Sequence, residues 1–173
     1  MAGIIIAGLG AGAFAAILAA RKINRTVEIT VIDEKYYDLM HPCGLPYAVE
    51  GIIESFDKLH HDLRLEKMRV NVMRPFNVDK IDTARKTVFA TGKSTGETVE
   101  LTYDKLLIGF GSRPFVPPAP GFDTFIGKGI YTISTPEEAE KLKCSAAPGM
   151  RAVCLGAGAI GLETAVALKA LGL

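Results

Sequence analysis

A chain of 173 residues, 49% of them hydrophobic and 23% charged, has ample apolar material for a core and suits one domain, or one domain with a piece of another. Its net charge of +1 leaves no basic surface for nucleic acid and no polybasic block for membrane lipid. Three cysteines at irregular spacing form neither a disulfide framework nor a CxxC pair, which fits a reducing, cytoplasmic compartment.

The opening run AGIIIAGLGAGAFAAILAA carries no charge, a pattern that signal peptides and membrane spans share. No basic stretch precedes it, and Gly8, Gly10 and Gly12 would weaken a spanning helix. A buried parallel strand, a tight turn and a buried helix give the same apolar run. The reading is therefore a strand over residues 4–6, the turn GLGAGA, and a helix to about residue 23. Phe14, Ile17 and Leu18 fall at i, i+3 and i+4, as one buried helical face requires. A second strand, residues 27–33, ends on Asp33.

Gly8-x-Gly10-x-x-Ala13 is a GxGxxA form of the dinucleotide fingerprint. Gly8 permits the tight turn, Gly10 lets a pyrophosphate approach the backbone, and Ala13 keeps the helix close to the sheet. The helix start offers its free N–H groups to the phosphates. Asp33 is placed to accept hydrogen bonds from a ribose. The motif alone is weak, but the order strand, helix, strand and acid predicts a nucleotide site. The competing reading is a glycine turn in some other α/β protein.

HPCGLPY follows, with Cys43 ten residues after Asp33. A small buried cysteine needs no proline and glycine around it; a reactive one does, where backbone is held against a flat ligand. The residues alone leave both open. A short helix is predicted over residues 57–67, with His60 and His61 on different faces, solvated, and a poor metal pair; no metal site is expected. Short strands are predicted over residues 70–72, 78–81, 87–90 and 98–101. ATGKSTGE is a hairpin turn without P-loop spacing. YDKLLI is a buried strand running into GFGSRP.

VPPAPG, residues 116–121, is a stiff connector that suggests domains over residues 1–115 and 116–173. Thr135, Pro136 and Glu138 open a helix as N-cap, first helical residue and capping-box acid. Then the first pattern recurs. RAVCL reads as a strand with Cys154 in its core, GAGAIG is a full GxGxxG over Gly156, Gly158 and Gly161, and a helix follows. Cys144 has no motif around it. One strand and one helix cannot bury both faces alone, so the second unit reads as truncated and the chain as a fragment of something longer.

Two dinucleotide motifs, with a strand meander, a GSRP turn and a PPxPG connector between them, resemble the FAD-dependent pyridine nucleotide–disulfide oxidoreductases. DEKYYDLMHPCGLPYAVEG is similar to their single-cysteine branch: coenzyme A disulfide reductases, NADH oxidases and NAD(P)H sulfur reductases. The resemblance implies an α/β, Rossmann-type three-layer FAD-binding fold. Its parallel sheet would carry helices on both faces and an antiparallel β-meander, and a second Rossmann unit for NADH or NADPH would begin after it. It implies Cys43 as the redox cysteine. It also implies FAD contacts at Gly8, Gly10, Ala13, Asp33, Val78, Gly111 and Arg113, and NAD(P)H at Gly156, Gly158 and Gly161.

The implied substrate is a small disulfide, coenzyme A or a sulfur species, and the implied assembly a homodimer, with no nucleic acid or membrane partner. Several positions depart from the family pattern. Gly109-Phe110-Gly111 replaces an ATG turn and loses its threonine. Ala159 replaces a tyrosine that lies over the flavin, and Asp33 is shorter than the usual glutamate. The later Gly-Asp motif and the dimerisation domain would lie beyond Leu173. Two alternatives stay open: an NADH oxidase forming water or peroxide, and a catalytically silent nucleotide-binding module. Lys35 is placed to approach the adenosine or phosphates, but a lysine just after a strand is more often only solvated; Tyr47 lines the flavin pocket or merely packs.

Overall fold

Ile5 and Ile6 point to opposite faces of one strand, and the computed structural model, which describes residues 3–173, shows both buried. The strands are β1 (Gly3–Ala7), β2 (Ile29–Ile32), β3 (Leu39–Met40), β4 (His60–His61), β5 (Asn71–Met73), β6 (Phe76–Asp82), β7 (Thr87–Gly92) and β8 (Thr98–Ile108). The helices are α1 (Ala11–Ile23), α2 (Leu45–Glu50), α3 (Phe122–Phe125), α4 (Pro136–Ser145) and α5 (Ala159–Ala170). They form two compact units. One runs to Leu39 and resumes over His61–Ser112; the other comprises Met40–His60 and Arg113–Leu173.

In the first unit the sheet order is β5-β2-β1-β8-β7-β6. β5, β2, β1 and β8 are parallel, and β8, β7 and β6 form the antiparallel meander. Two predicted strands, 98–101 and 103–108, are one. The first part of β8 pairs with β7 and the rest with β1. Val99, Leu101 and Tyr103 keep period 2 through Thr102, so nothing in the pattern breaks the strand.

On one face Ile6, Ile29 and Val31 pack against Ala13 and Ile17 of α1. On the other, Ile5 and Ile32 pack with Val88, Ala90 and Tyr103. That second face is covered by meander strands, not by a helix as expected. The apolar sides of β7 and β8 need burial as much as the sheet does, and each satisfies the other. The buried face of α1 also differs from expectation: Ala13 and Ile17 are buried, whereas Leu18 is 47% exposed. In an alanine-rich helix the smallest residue, not the largest, marks the line of closest approach.

Arg21, in the last turn of α1, donates to Met68 O at 2.7 Å, Val27 O at 2.6 Å and Arg69 O at 2.9 Å. One guanidinium thus ties the helix end to the segments before β2 and before β5. The helix predicted over residues 57–67 is absent. Two 3-10 turns, Phe56–Leu59 and Leu65–Met68, flank β4 instead. Arg64 at φ 50 and Arg69 at φ 56 lie in the left-handed region, which no continuous α-helix tolerates. His60 is half-buried, not solvated, and sits with His61 on β4.

In the second unit Leu45, Ala48 and Val49 of α2 pack with Ala139 of α4 and Ala167 of α5. Lys143 Nζ donates to Ala48 O at 2.6 Å, satisfying a carbonyl in the last turns of α2. α4 opens as expected: Thr135 Oγ1 accepts the Glu138 N–H at 3.3 Å. The reciprocal arm is moved by one residue, for Glu138 Oε2 accepts from Ser134 N at 2.8 Å and Ser134 Oγ at 2.7 Å. Burial raises the Glu138 pKa, but hydrogen bonds from Ser134, Thr132 and Thr135 outweigh it, and the net shift is downward.

Residues 151–155 do not form the predicted strand. Val153 is 86% exposed, and Cys154 is exposed, not core. A parallel strand takes its hydrogen bonds from neighbours, and among the described residues none pairs with this segment. Among the described residues no helix is long and apolar enough to cross a membrane.

A folded-state carboxylate with a lowered pKa stabilises above its unfolded value and loses that contribution as pH falls through the folded one. Glu138→Gln should therefore cost about 1 kcal/mol or less at pH 7, given partial solvent screening. The deficit should close as pH is lowered toward 3. Thermal denaturation of both proteins across that range checks it; a constant deficit would contradict the assignment.

Candidate functional site

The first turn is built by backbone contact. Gly8 has φ 93, and a Cβ there would lie 2.5 Å from Gly109 O. Gly8 N–H donates to Ile32 O at 2.8 Å, and Gly109 N–H donates to Ala7 O at 2.7 Å. The turns after β1 and after β8 are thus stitched together with no room for a side chain. Ala13 sits directly beneath: a Cβ on Gly109 would meet its Cβ at 3.5 Å.

Gly10 is the N-cap of α1, with extended backbone at φ −142 and no side-chain cap. A Cβ at Gly10, Gly12 or Gly111 would meet nothing within 4 Å. The backbone where α1 begins therefore borders open space, and its first N–H groups have no intrahelical acceptor. This is a cradle that a side chain would fill, and it suits a phosphate.

Asp33 ends β2, and only 1% of its side chain is exposed. Its Oδ2 accepts the Leu9 N–H, and its Oδ1 accepts the Lys35 N–H at 2.7 Å. Lys35 Nζ donates to Oδ1 at 2.8 Å, to Oδ2 at 2.7 Å and to Leu9 O at 3.0 Å. The ammonium also lies 5.8 Å from the Tyr37 ring centroid. Lys35 is a member of the site, not a solvated lysine. The D-x-K spacing was the available signal: it brings a flexible cation back onto the acid across a two-residue bend.

Val78 lies on β6 of the same unit, half-buried and opposite Ala90. Gly111 has φ 77 and continues the turn that meets Gly8. Arg113 is exposed and begins the second unit's later segment. The first unit therefore gathers Gly8, Gly10, Ala13, Asp33 and the Gly109–Gly111 turn. These residues fit an adenine dinucleotide: open backbone donors for phosphate, and a buried acid for ribose.

The second motif repeats the geometry. Gly156 has φ 108, Gly158 is the N-cap of α5, and a Cβ on Gly158 would meet nothing within 4 Å. A Cβ on Gly161 would lie 2.1 Å from Gly156 O. The third glycine here is required by contact between the helix and its own turn.

Cys43 occupies a 3-10 turn, Pro42–Gly44, that leads directly into α2. His41 N–H donates to Leu59 O at 3.0 Å, and Gly44 N–H donates to His41 O at 3.1 Å. A Cβ on Gly44 would lie 2.3 Å from Leu59 Cδ2. Pro42 starts the turn and Gly44 lets it lie flat on Leu59, while Leu45 is fully buried. Cys43 between them is exposed, so the small-buried-residue reading does not hold. Cys144 is exposed as well, and Tyr47 is partly exposed on α2.

The sequence profile of the pyridine nucleotide-disulphide oxidoreductase family matches residues 2–173. An NADH oxidase of Methanocaldococcus jannaschii is 34% identical over 98% of this chain, and the match spans 38% of that relative. The NAD-dependent persulfide reductase of A. fulgidus superposes with a TM-score of 0.84 at 33% identity, over 98% of this chain and 32% of that one. The reduced CoADR-RHD of Bacillus anthracis gives a TM-score of 0.85 at 25% identity, over 98% and 31%.

Gly8 and Gly10 separate folding from binding. Gly8→Ala combines a positive φ with a backbone clash and should destabilise by more than about 2 kcal/mol. Gly10→Ala meets no atom and should cost about 1 kcal/mol or less, the N-cap preference for glycine over alanine, while its methyl in a space that suits a phosphate should weaken flavin nucleotide binding about tenfold. Calorimetric melting and flavin titration of the two variants check both halves.

Proposed function

The chain belongs to the pyridine nucleotide-disulphide oxidoreductase family, and from that premise we propose that it carries the flavin turn and redox cysteine of a cytoplasmic NAD(P)H oxidoreductase. The proposed acceptor is a small disulfide or sulfur species, reduced through Cys43. Cys43 carries the reading: all three cysteines are exposed, and this is the one set in a turn that Pro42 and Gly44 hold. The persulfide reductase among the similar structures supports a sulfur acceptor. The proposed domains are residues 1–115 for FAD and residues 116–173 as the beginning of a unit for NADH or NADPH. A homodimer is the proposed assembly.

Gly8, Gly10 and Ala13 would hold the FAD pyrophosphate, and Asp33 its ribose; Val78, Gly111 and Arg113 would complete the contacts. Gly156, Gly158 and Gly161 would receive the pyridine nucleotide. FAD, when bound, supplies two-electron transfer from NAD(P)H to sulfur. The Cys43 thiolate attacks one sulfur of a disulfide RSSR, forming the Cys43–SR bond as the S–S bond breaks and RS⁻ leaves. Two electrons from NAD(P)H then reduce that mixed disulfide to the Cys43 thiolate and a second RS⁻. With no second cysteine near Cys43 in the sequence, the exchange partner would be an external thiol such as coenzyme A.

A second reading, oxygen as the acceptor, is favoured by the relative named NADH oxidase.

The first test is the visible spectrum of the purified chain after FAD is added and the excess removed; a retained flavin band is expected. In the assembled enzyme, Cys43→Ser should keep that band and lower coenzyme A disulfide turnover at least 100-fold. Equal turnover would sink the cysteine assignment. NADH-dependent oxygen consumption without disulfide turnover would select the second reading.

A further inference from the structure

We propose that Lys35 is a latch on the first nucleotide turn that competes with a ribose diol for Asp33 and so tempers the turn's preference for one. Its ammonium fills the ribose-accepting positions of Asp33, and a ligand bringing two hydroxyl donors must displace it. The inference rests on reading that turn as a nucleotide site.

The count of donors leads to it. A carboxylate offers about four acceptor positions. Asp33 receives four donations: Leu9 N–H, Lys35 N–H, and Lys35 Nζ on each oxygen. No position is left for a ribose. Two of the four donors are backbone groups, fixed by the turn after β1 and by the bend after β2, and cannot leave without unmaking the site. The other two belong to one flexible side chain that is 33% exposed over an acid that is 1% exposed. Lys35 Nζ is therefore the donor that can move.

What replaces it is set by the acid. A buried carboxylate stripped of donors is costly, so an incoming group must restore what the ammonium gave. The ammonium gives one hydrogen bond to each oxygen. A ribose 2′,3′-diol supplies the same pair; a dideoxyribose supplies none, and inorganic phosphate is repelled. Leaving also costs Lys35 its bond to Leu9 O and its place by the Tyr37 ring. The latch thus makes the diol exchange one set of contacts for another, and it shields Asp33 in the empty site.

Lys35→Met removes the competitor and leaves Asp33 short of donors. The diol then gains its full contribution. In calorimetric titrations of the whole chain with ADP and 2′,3′-dideoxyadenosine diphosphate, the ratio of the two affinities should rise about tenfold in the variant, chiefly through tighter ADP. Lys35→Arg, which keeps a cation on the acid, should stay near the native ratio. If Lys35→Met does not fold, Lys35→Ala, which also donates nothing to Asp33, gives the same comparison.

A parallel loss of both affinities, with the ratio unchanged, would overturn the latch and make Lys35 a phosphate contact or a structural pair. Wild-type protein that binds neither nucleotide would overturn the nucleotide reading itself, and the latch with it. Native ADP binding with an unchanged ratio would defeat the latch alone.

Discussion

The first unit depends on two backbones touching. With Gly8 and Gly109 so close that a Cβ on the first would lie 2.5 Å from the carbonyl oxygen of the second, β1 and β8 can end side by side. That contact fixes where α1 starts, because Gly10 is only two residues further on. It also fixes the level of Asp33, since Gly8 N–H is bonded to Ile32 O. The open backbone at Gly10 and the buried acid are consequences of this closure. Among parallel strands the carboxyl ends are the usual place for ligands; here the glycine contact makes that end tight at the sheet and open at the helix.

The support of Cys43 has a different origin. Its turn rests on Leu59, and the helix that follows is buried against α4 and α5. Ala139 and Ala167 allow the helices to approach, and Lys143 satisfies Ala48 O. The segment that carries the cysteine thus belongs, by packing, with residues from the later part of the chain. Sequence proximity to Asp33 says nothing of this. The helix bearing the second glycine motif and the helix following the cysteine share one apolar cluster, so a substitution at Ala167 acts on both.

Much of the site was legible because it is local. A glycine that needs positive φ, an N-cap threonine and an acid at a strand end are decided within a few residues, and Gly8, Thr135 and Asp33 sit where their spacing places them. The Lys35 contact was less legible. It needs the side chain to turn back over its own strand end, and a solvated lysine shows the same letters. The cover on the second sheet face was not legible either, since Val88 and Ala90 have the alternation of any half-buried strand. The helix expected over residues 57–67 failed at Arg64, whose left-handed backbone no propensity scale assigns to arginine.

The second glycine motif shows how far local encoding reaches. Residues 151–155 have no strand partner among the described residues and are exposed. Yet Gly156 holds φ 108, Gly158 caps α5, and Gly161 lies against the Gly156 carbonyl. A strand is a relation between segments, and its apolar letters only permit it. A glycine turn onto a helix is a relation within one segment, closed by its own carbonyl. The glycine turn is thus specified within its own segment, and it can be read from a sequence more readily than a strand, whose partner lies elsewhere.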